Sequence, residues 1–124
     1  YFLILADAYR NSSSFSLARS AVYSSLELKK GWGEAYISLG NIYVAAATSC
    51  GNSFEQKTVY WVAVDAFRMA SKDGDVADKA RRNINTYSKY FPSTEECFFN
   101  NVNKEDTYKV SCWINQSTKV RAND

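Results

Sequence analysis

The chain has 124 residues, 46% hydrophobic and 23% charged, with one Pro and five Gly, which is the balance of one folded globular domain and not of a disordered or collagen-like chain. Fifteen Lys and Arg against thirteen Asp and Glu leave a net charge of +2, too small for a protein whose work is to neutralise phosphates, so nucleic acid is disfavoured as a partner. The chain has no His, which removes the usual general base, the commonest zinc ligand and every Ser–His or Cys–His nucleophile, and this argues against an enzyme.

Tyr1 to Ala6 reads as the inside of an apolar helix, so the natural protein is expected to start upstream. The run is too short to span a bilayer, which needs about 18 apolar residues, and it lacks a basic flank, so it is neither a membrane span nor a signal segment. Sliding the chain by 34 residues places Phe2 over Tyr36, Leu5 over Leu39, Ala6 over Gly40 and Tyr9 over Tyr43. Each quartet falls at i, i+3, i+4 and i+7, one stripe of a helix, with a small residue that lets a neighbouring helix come close. The partner stripes follow downstream: Ala18, Val22 and Ser25 in the first copy, Ala63, Phe67 and Ala70 in the second. The expected unit is a pair of antiparallel helices, repeated.

From Tyr9 to Ala18 is nine residues and from Tyr43 to Ala63 is twenty, so the second copy carries an eleven-residue insertion. Ala45 to Ala47 favour helix, Gly51 suits a turn, and Ser53 with Gln56 reads as a capping box, which lengthens both helices and puts Cys50 at the tip of a protruding hairpin. Lys72 to Asp75 make a turn, with Asp75 or Asp78 as cap of a further helix striped by Ala77, Ala80, Ile84 and Tyr87. That helix covers the end of the repeats, and its Lys79, Arg81, Arg82 and Lys89 read as a solvated face. Ser93 to Glu96 form another capping box. Tyr108, Val110, Cys112 and Ile114 alternate with polar neighbours as in a half-buried strand, and Thr118 to Arg121 return as its mate. The pattern predicts helices over 1–11, 15–30, 33–48, 54–71 and 76–90 and a hairpin over 108–121.

Tyr36-x2-Leu39-Gly40-x2-Tyr43 followed by Ala63-x3-Phe67-x2-Ala70 resembles the tetratricopeptide repeat family, although the closing Pro is missing and Lys30 stands in its place. The resemblance implies an all-α superhelix, two repeats and a capping helix over 1–92, with a short helix and a small β-hairpin over 93–124. It also implies a concave groove for a protein or peptide partner, lined by Leu3, Asp7, Arg10 and Asn11 from the first copy and by Glu34, Ile37, Asn41 and Val44 from the second. Asn41 with Arg82 weakly suggests a basic clamp for a carboxylate. Ser49-Cys50-Gly51, Val59-Tyr60-Trp61 and Cys112-Trp113-Ile114, over residues 33–122, look like the C-terminal end of tetratricopeptide proteins from Bacteroidetes, which implies a cell-envelope protein with no chemistry to carry over. A purely structural capping role is the alternative function, and a part in an enzyme a further one.

Three Cys in no metal spacing offer no site for a metal, and no cofactor motif occurs. Cys50–Cys112 and Cys97–Cys112 are the pairs open to a disulfide, and Cys50–Cys112 is the one expected. The first would pin the orphan hairpin and leave Cys97 packed beside Phe98 or Phe99. An envelope location favours such a bond, and a cytoplasmic one, the alternative, favours three thiols. Tyr1, Leu3 and Ile4 offer an uncovered apolar end through which copies could associate.

Overall fold

The computed structural model describes residues 2–123. Six helices are followed by one antiparallel strand pair among these residues: α1 (Phe2–Asn11), α2 (Phe15–Leu28), α3 (Gly33–Ala46), α4 (Ser53–Ala70), α5 (Ala77–Tyr87), α6 (Thr94–Phe99), β1 (Thr107–Val110) and β2 (Gln116–Lys119). Short 3-10 turns extend α3 over Ala47–Ser49 and α5 over Ser88–Tyr90, so the helices expected over 33–48 and 76–90 each end in a tightened turn. Neighbouring helices in sequence are neighbours in space, with α1 against α2, α2 against α3, α3 against α4 and α4 against α5. None of the described helices is long and apolar enough to cross a membrane.

α3 is the central element. Its buried residues include Ala35, Leu39, Ile42 and Tyr43 on one arc and Ile37, Ser38 and Gly40 on others, because α1, α2 and α4 all lie against it. Gly40 explains how α4 comes so near: a Cβ there would sit 2.5 Å from Cε1 of Phe67. Phe67 is fully buried and stacks on Tyr87 of α5, with ring centroids 5.7 Å apart, so one aromatic side chain links the second hairpin to the helix that follows it. In the first hairpin Ala6 and Ala18 are fully buried, in keeping with their stripes.

Helix starts follow side-chain chemistry, with two differences from the expected caps. The capping box of α4 is Asn52 with Glu55, one residue earlier than Ser53 with Gln56: Asn52 Oδ1 accepts from the Glu55 amide at 2.9 Å, and Glu55 accepts from the Asn52 amide at 3.2 Å. α5 has no side-chain cap from Asp75 or Asp78, since Val76 holds its N-cap position. The carboxylate of that turn which does cap is Asp73, which accepts from the amide of Gly33 at 2.8 Å and so closes the start of α3 from across the fold. The Gly33 amide, with that of Asp75 at 3.1 Å, holds the Asp73 carboxyl below its usual pKa. Ser93 and Glu96 do form the expected box at α6.

A second apolar cluster of Trp61, Val64, Phe91, Cys97 and Val120 lies between α4, α6 and the hairpin. The hairpin register pairs Thr107 with Lys119 and Val110 with Gln116. β1 therefore ends before Cys112 and Ile114, which were expected to continue it. Left-handed backbone at Cys112 (φ 62°) and Asn115 (φ 50°) turns the chain, and Trp113, expected to point to the polar side, turns inward instead. At the N-terminal end Ile4 is 76% exposed, and Tyr1 lies outside the described residues.

Gly40→Ala tests the close approach. Helix propensity alone favours Ala by about 1 kcal/mol, yet the added methyl has no room against Phe67. Urea unfolding should show a net loss of about 1–3 kcal/mol, the cost of overpacking a rigid core; a gain would show that α3 and α4 separate easily.

Candidate functional site

Residues three and four apart share a helix face, and on α1 and α3 this brings polar side chains to one place. Leu3, Asp7 and Arg10 of α1, Glu34, Ile37, Ser38 and Asn41 of α3, and Lys79 of α5 line a cleft of about 200 Å3. Leu3 and Ile37 give it an apolar floor. Asp7 and Arg10 form an ion pair at 3.6 Å within α1, partly in solvent and so worth only a few tenths of a kcal/mol. Ser38 is only 7% exposed, and among the described residues its Oγ has no hydrogen-bond partner; Arg10 Nε is buried and likewise lacks an acceptor among them. A buried polar atom left unpaired costs about 1–3 kcal/mol, so the cleft holds a standing demand for hydrogen bonds.

Six of the expected groove residues, Leu3, Asp7, Arg10, Glu34, Ile37 and Asn41, are thus brought together. Val44, Asn11 and Arg82 are not among the lining residues: Val44 packs against the main core, and Asn11 and Arg82 are exposed. The suggested pairing of Arg82 with Asn41 is therefore not formed in the cleft. Lys79 and Ser38 were missed. Lys79 belongs to a helix face rich in charge, and nothing in its sequence neighbourhood separates it from the solvated lysines beside it. Ser38 interrupts an apolar stretch, the one available hint of a polar group facing inward.

The cysteines form a second centre. Cys50 and Cys112 lie 62 residues apart in sequence, with Cα atoms 5.6 Å apart and sulfurs at disulfide distance. Cys50 is buried beneath the hairpin loop and not at an exposed tip, so the insertion is a seat for the C-terminal segment and not a free protrusion. Cys97 keeps its thiol and is buried in the Trp61 cluster, while Phe98 and Phe99 are largely exposed.

Arg19 of α2 holds the same loop from the other side. Its Nη1 donates to the Ile114 carbonyl at 2.7 Å and its Nη2 to the Trp113 carbonyl at 3.3 Å, and the guanidinium lies 4.8 Å from the Trp113 ring centroid. Trp113 stacks between Phe15 and Tyr43. Burial pushes the Tyr43 hydroxyl up to about 12, with the Arg19 hydrogen bond opposing the shift. Comparison with protein-family models, with curated proteins and with solved structures returns no match for the chain.

Cys50→Ser removes a cross-link that chain-entropy reasoning credits with about 4 kcal/mol for a loop of this length. Hydrogen exchange should quicken over 107–119 while α3 and α4 stay protected, because the helix stripes make no use of the bond; equal exchange in both proteins would show that it contributes nothing. Tyr43 yields a pH prediction. Its pKa is raised on folding, so its contribution is whole below about pH 10 and is lost as pH rises towards about 12, at up to about 1.4 kcal/mol per unit. Tyr43→Phe should make the urea midpoint less sensitive to pH across that window; an unchanged slope would assign the alkaline loss to other tyrosines.

Proposed function

We propose that the chain is a tetratricopeptide-like interaction module, part of a larger cell-envelope protein, and that it binds an extended segment of a partner protein across α1, α3 and α5. The observation that carries this reading is the convergence of repeat-equivalent positions. Leu3 and Ile37 are one 34-residue step apart, as are Asp7 and Asn41, and all four line one cleft. An extended peptide presents a carbonyl or an amide at every step of about 3.3 Å, which matches a site whose Ser38 Oγ and Arg10 Nε lack partners. Its side chains would meet both signs of charge, Asp7 and Glu34 against Arg10 and Lys79. The envelope part of the reading is supported by the Cys50–Cys112 pair, since disulfides persist in oxidising compartments.

Selection of random peptides on the immobilised chain tests the groove. Enriched peptides should bind the parent chain and lose about tenfold or more in affinity with Arg10→Ala or Asn41→Ala, the worth of one or two charge-assisted hydrogen bonds. Peptides that bind all three proteins equally, or a selection that enriches nothing, would move the function away from this cleft.

A further inference from the structure

We propose that the surface around α6 is a self-association site through which two copies of this chain pair about a two-fold axis. The capping box of Ser93 and Glu96 and the burial of Cys97 fix α6 against the Trp61 cluster. Its outward side lifts Phe98 and Phe99 into water, 75% and 70% exposed, with ring centroids 6.0 Å apart and edge to face. Neither ring belongs to either core cluster. Beside them opens a cleft of about 400 Å3 lined by Thr94, Cys97, Phe98, Val102, Asn103 and Lys104. An apolar cavity of about 150 Å3 holds a benzene ring, so this cleft has room for a phenyl group.

Phe99 takes no part in that lining. Knob and hole therefore lie side by side on one surface, and a two-fold axis between them seats the Phe99 of each copy in the cleft of the other, the isologous arrangement in which one patch serves both partners. Charge singles out a second copy over other occupants. Glu95 is exposed and lies one helical turn before Phe98 and Phe99, on the knob side, whereas Lys104 lines the hole. The same axis sets each Glu95 against Lys104 of the other copy, so the ion pair forms twice. A lipid surface would accept the rings but has no use for this alternation of charge. Four phenylalanines, each already a quarter to a third covered, bury about 400–700 Å2 between them, short of the roughly 1,200 Å2 of standard stable interfaces. The dimer is accordingly weak and governed by concentration.

Sedimentation equilibrium on the whole chain, from micromolar to millimolar protein, should show the mass rising from 14.0 kDa towards twice that value. Phe99→Ser should weaken association by about tenfold or more, as loss of a central aromatic anchor does. Glu95→Lys alone should weaken it as well, and Glu95→Lys combined with Lys104→Glu should restore it; circular dichroism of each variant reports that the helices remain. Four results would each overturn the proposal: a monomer at every concentration, association that survives Phe99→Ser, a double charge swap that restores nothing, or association abolished by Ile4→Lys in place of the α6 variants. A monomer that binds phosphatidylcholine vesicles and loses that binding with Phe99→Ser would replace it with a membrane-contact role.

Discussion

The architecture depends on one close approach. With hydrogen as its side chain, Gly40 lets α4 lie against α3 at a distance where any Cβ would meet the Phe67 ring. The Phe67 ring fills that contact, and Tyr87 of α5 stacks on it. A wider spacing between α3 and α4 would open a void around Phe67 that a close-packed interior does not tolerate.

A two-stranded hairpin is barely stable alone in water, and here it is held by two arginines acting from opposite directions. Arg19 reaches out of the helices to the carbonyls of the hairpin loop. Arg121 reaches back from the chain after β2 to the carbonyl of Trp61 at 2.9 Å and to the Asp65 carboxylate at 2.9 Å, while the Trp61 indole donates to the carbonyl of Arg121 at 2.8 Å. Thr118 completes the set by hydrogen bonding to Asp65. Only 15% of the Arg121 side chain is exposed, and burial lowers its pKa while Asp65 opposes the shift. Removing the Asp65 carboxylate would leave the enclosed Arg121 charge poorly solvated, so the clamp favours one docking geometry.

The helical part of this fold was legible from residues whose spacing and size leave few options. The stripe Tyr36, Leu39, Gly40, Tyr43 demands a helix with a near neighbour, and Ala63, Phe67, Ala70 supplies it. Boundaries were less legible, because Asn52-x-x-Glu55 and Ser53-x-x-Gln56 obey the same rule one residue apart, and the extended backbone of Asn52 (ψ −178°) decides between them. The hairpin was misread at its tip for a related reason. Alternation from Tyr108 to Ile114 assumes extended backbone throughout, and a single positive φ at Cys112 reverses the side on which Trp113 falls. At the cleft, the positions on α1 and α3 could be found from the repeat, since equivalent residues face the same way. Lys79 could not, because α5 reaches α3 through tertiary contacts such as the Asp73 carboxylate on the Gly33 amide and not through its own pattern.

The Cys50–Cys112 pair has a mechanical consequence. With the two sulfurs joined, α4, α5, α6 and β1 lie inside a covalent ring of 62 residues' separation. Tension applied along the chain from either side passes through the sulfur–sulfur bond and bypasses everything between. At about 3.3–3.6 Å per extended residue, roughly 200 Å of contour is withheld from stretching, and of the described helices α1 to α3 are left for a pull to unravel. Reduction hands that length back, so the force at which the segment yields and the distance over which it gives way are set by the redox state of two side chains.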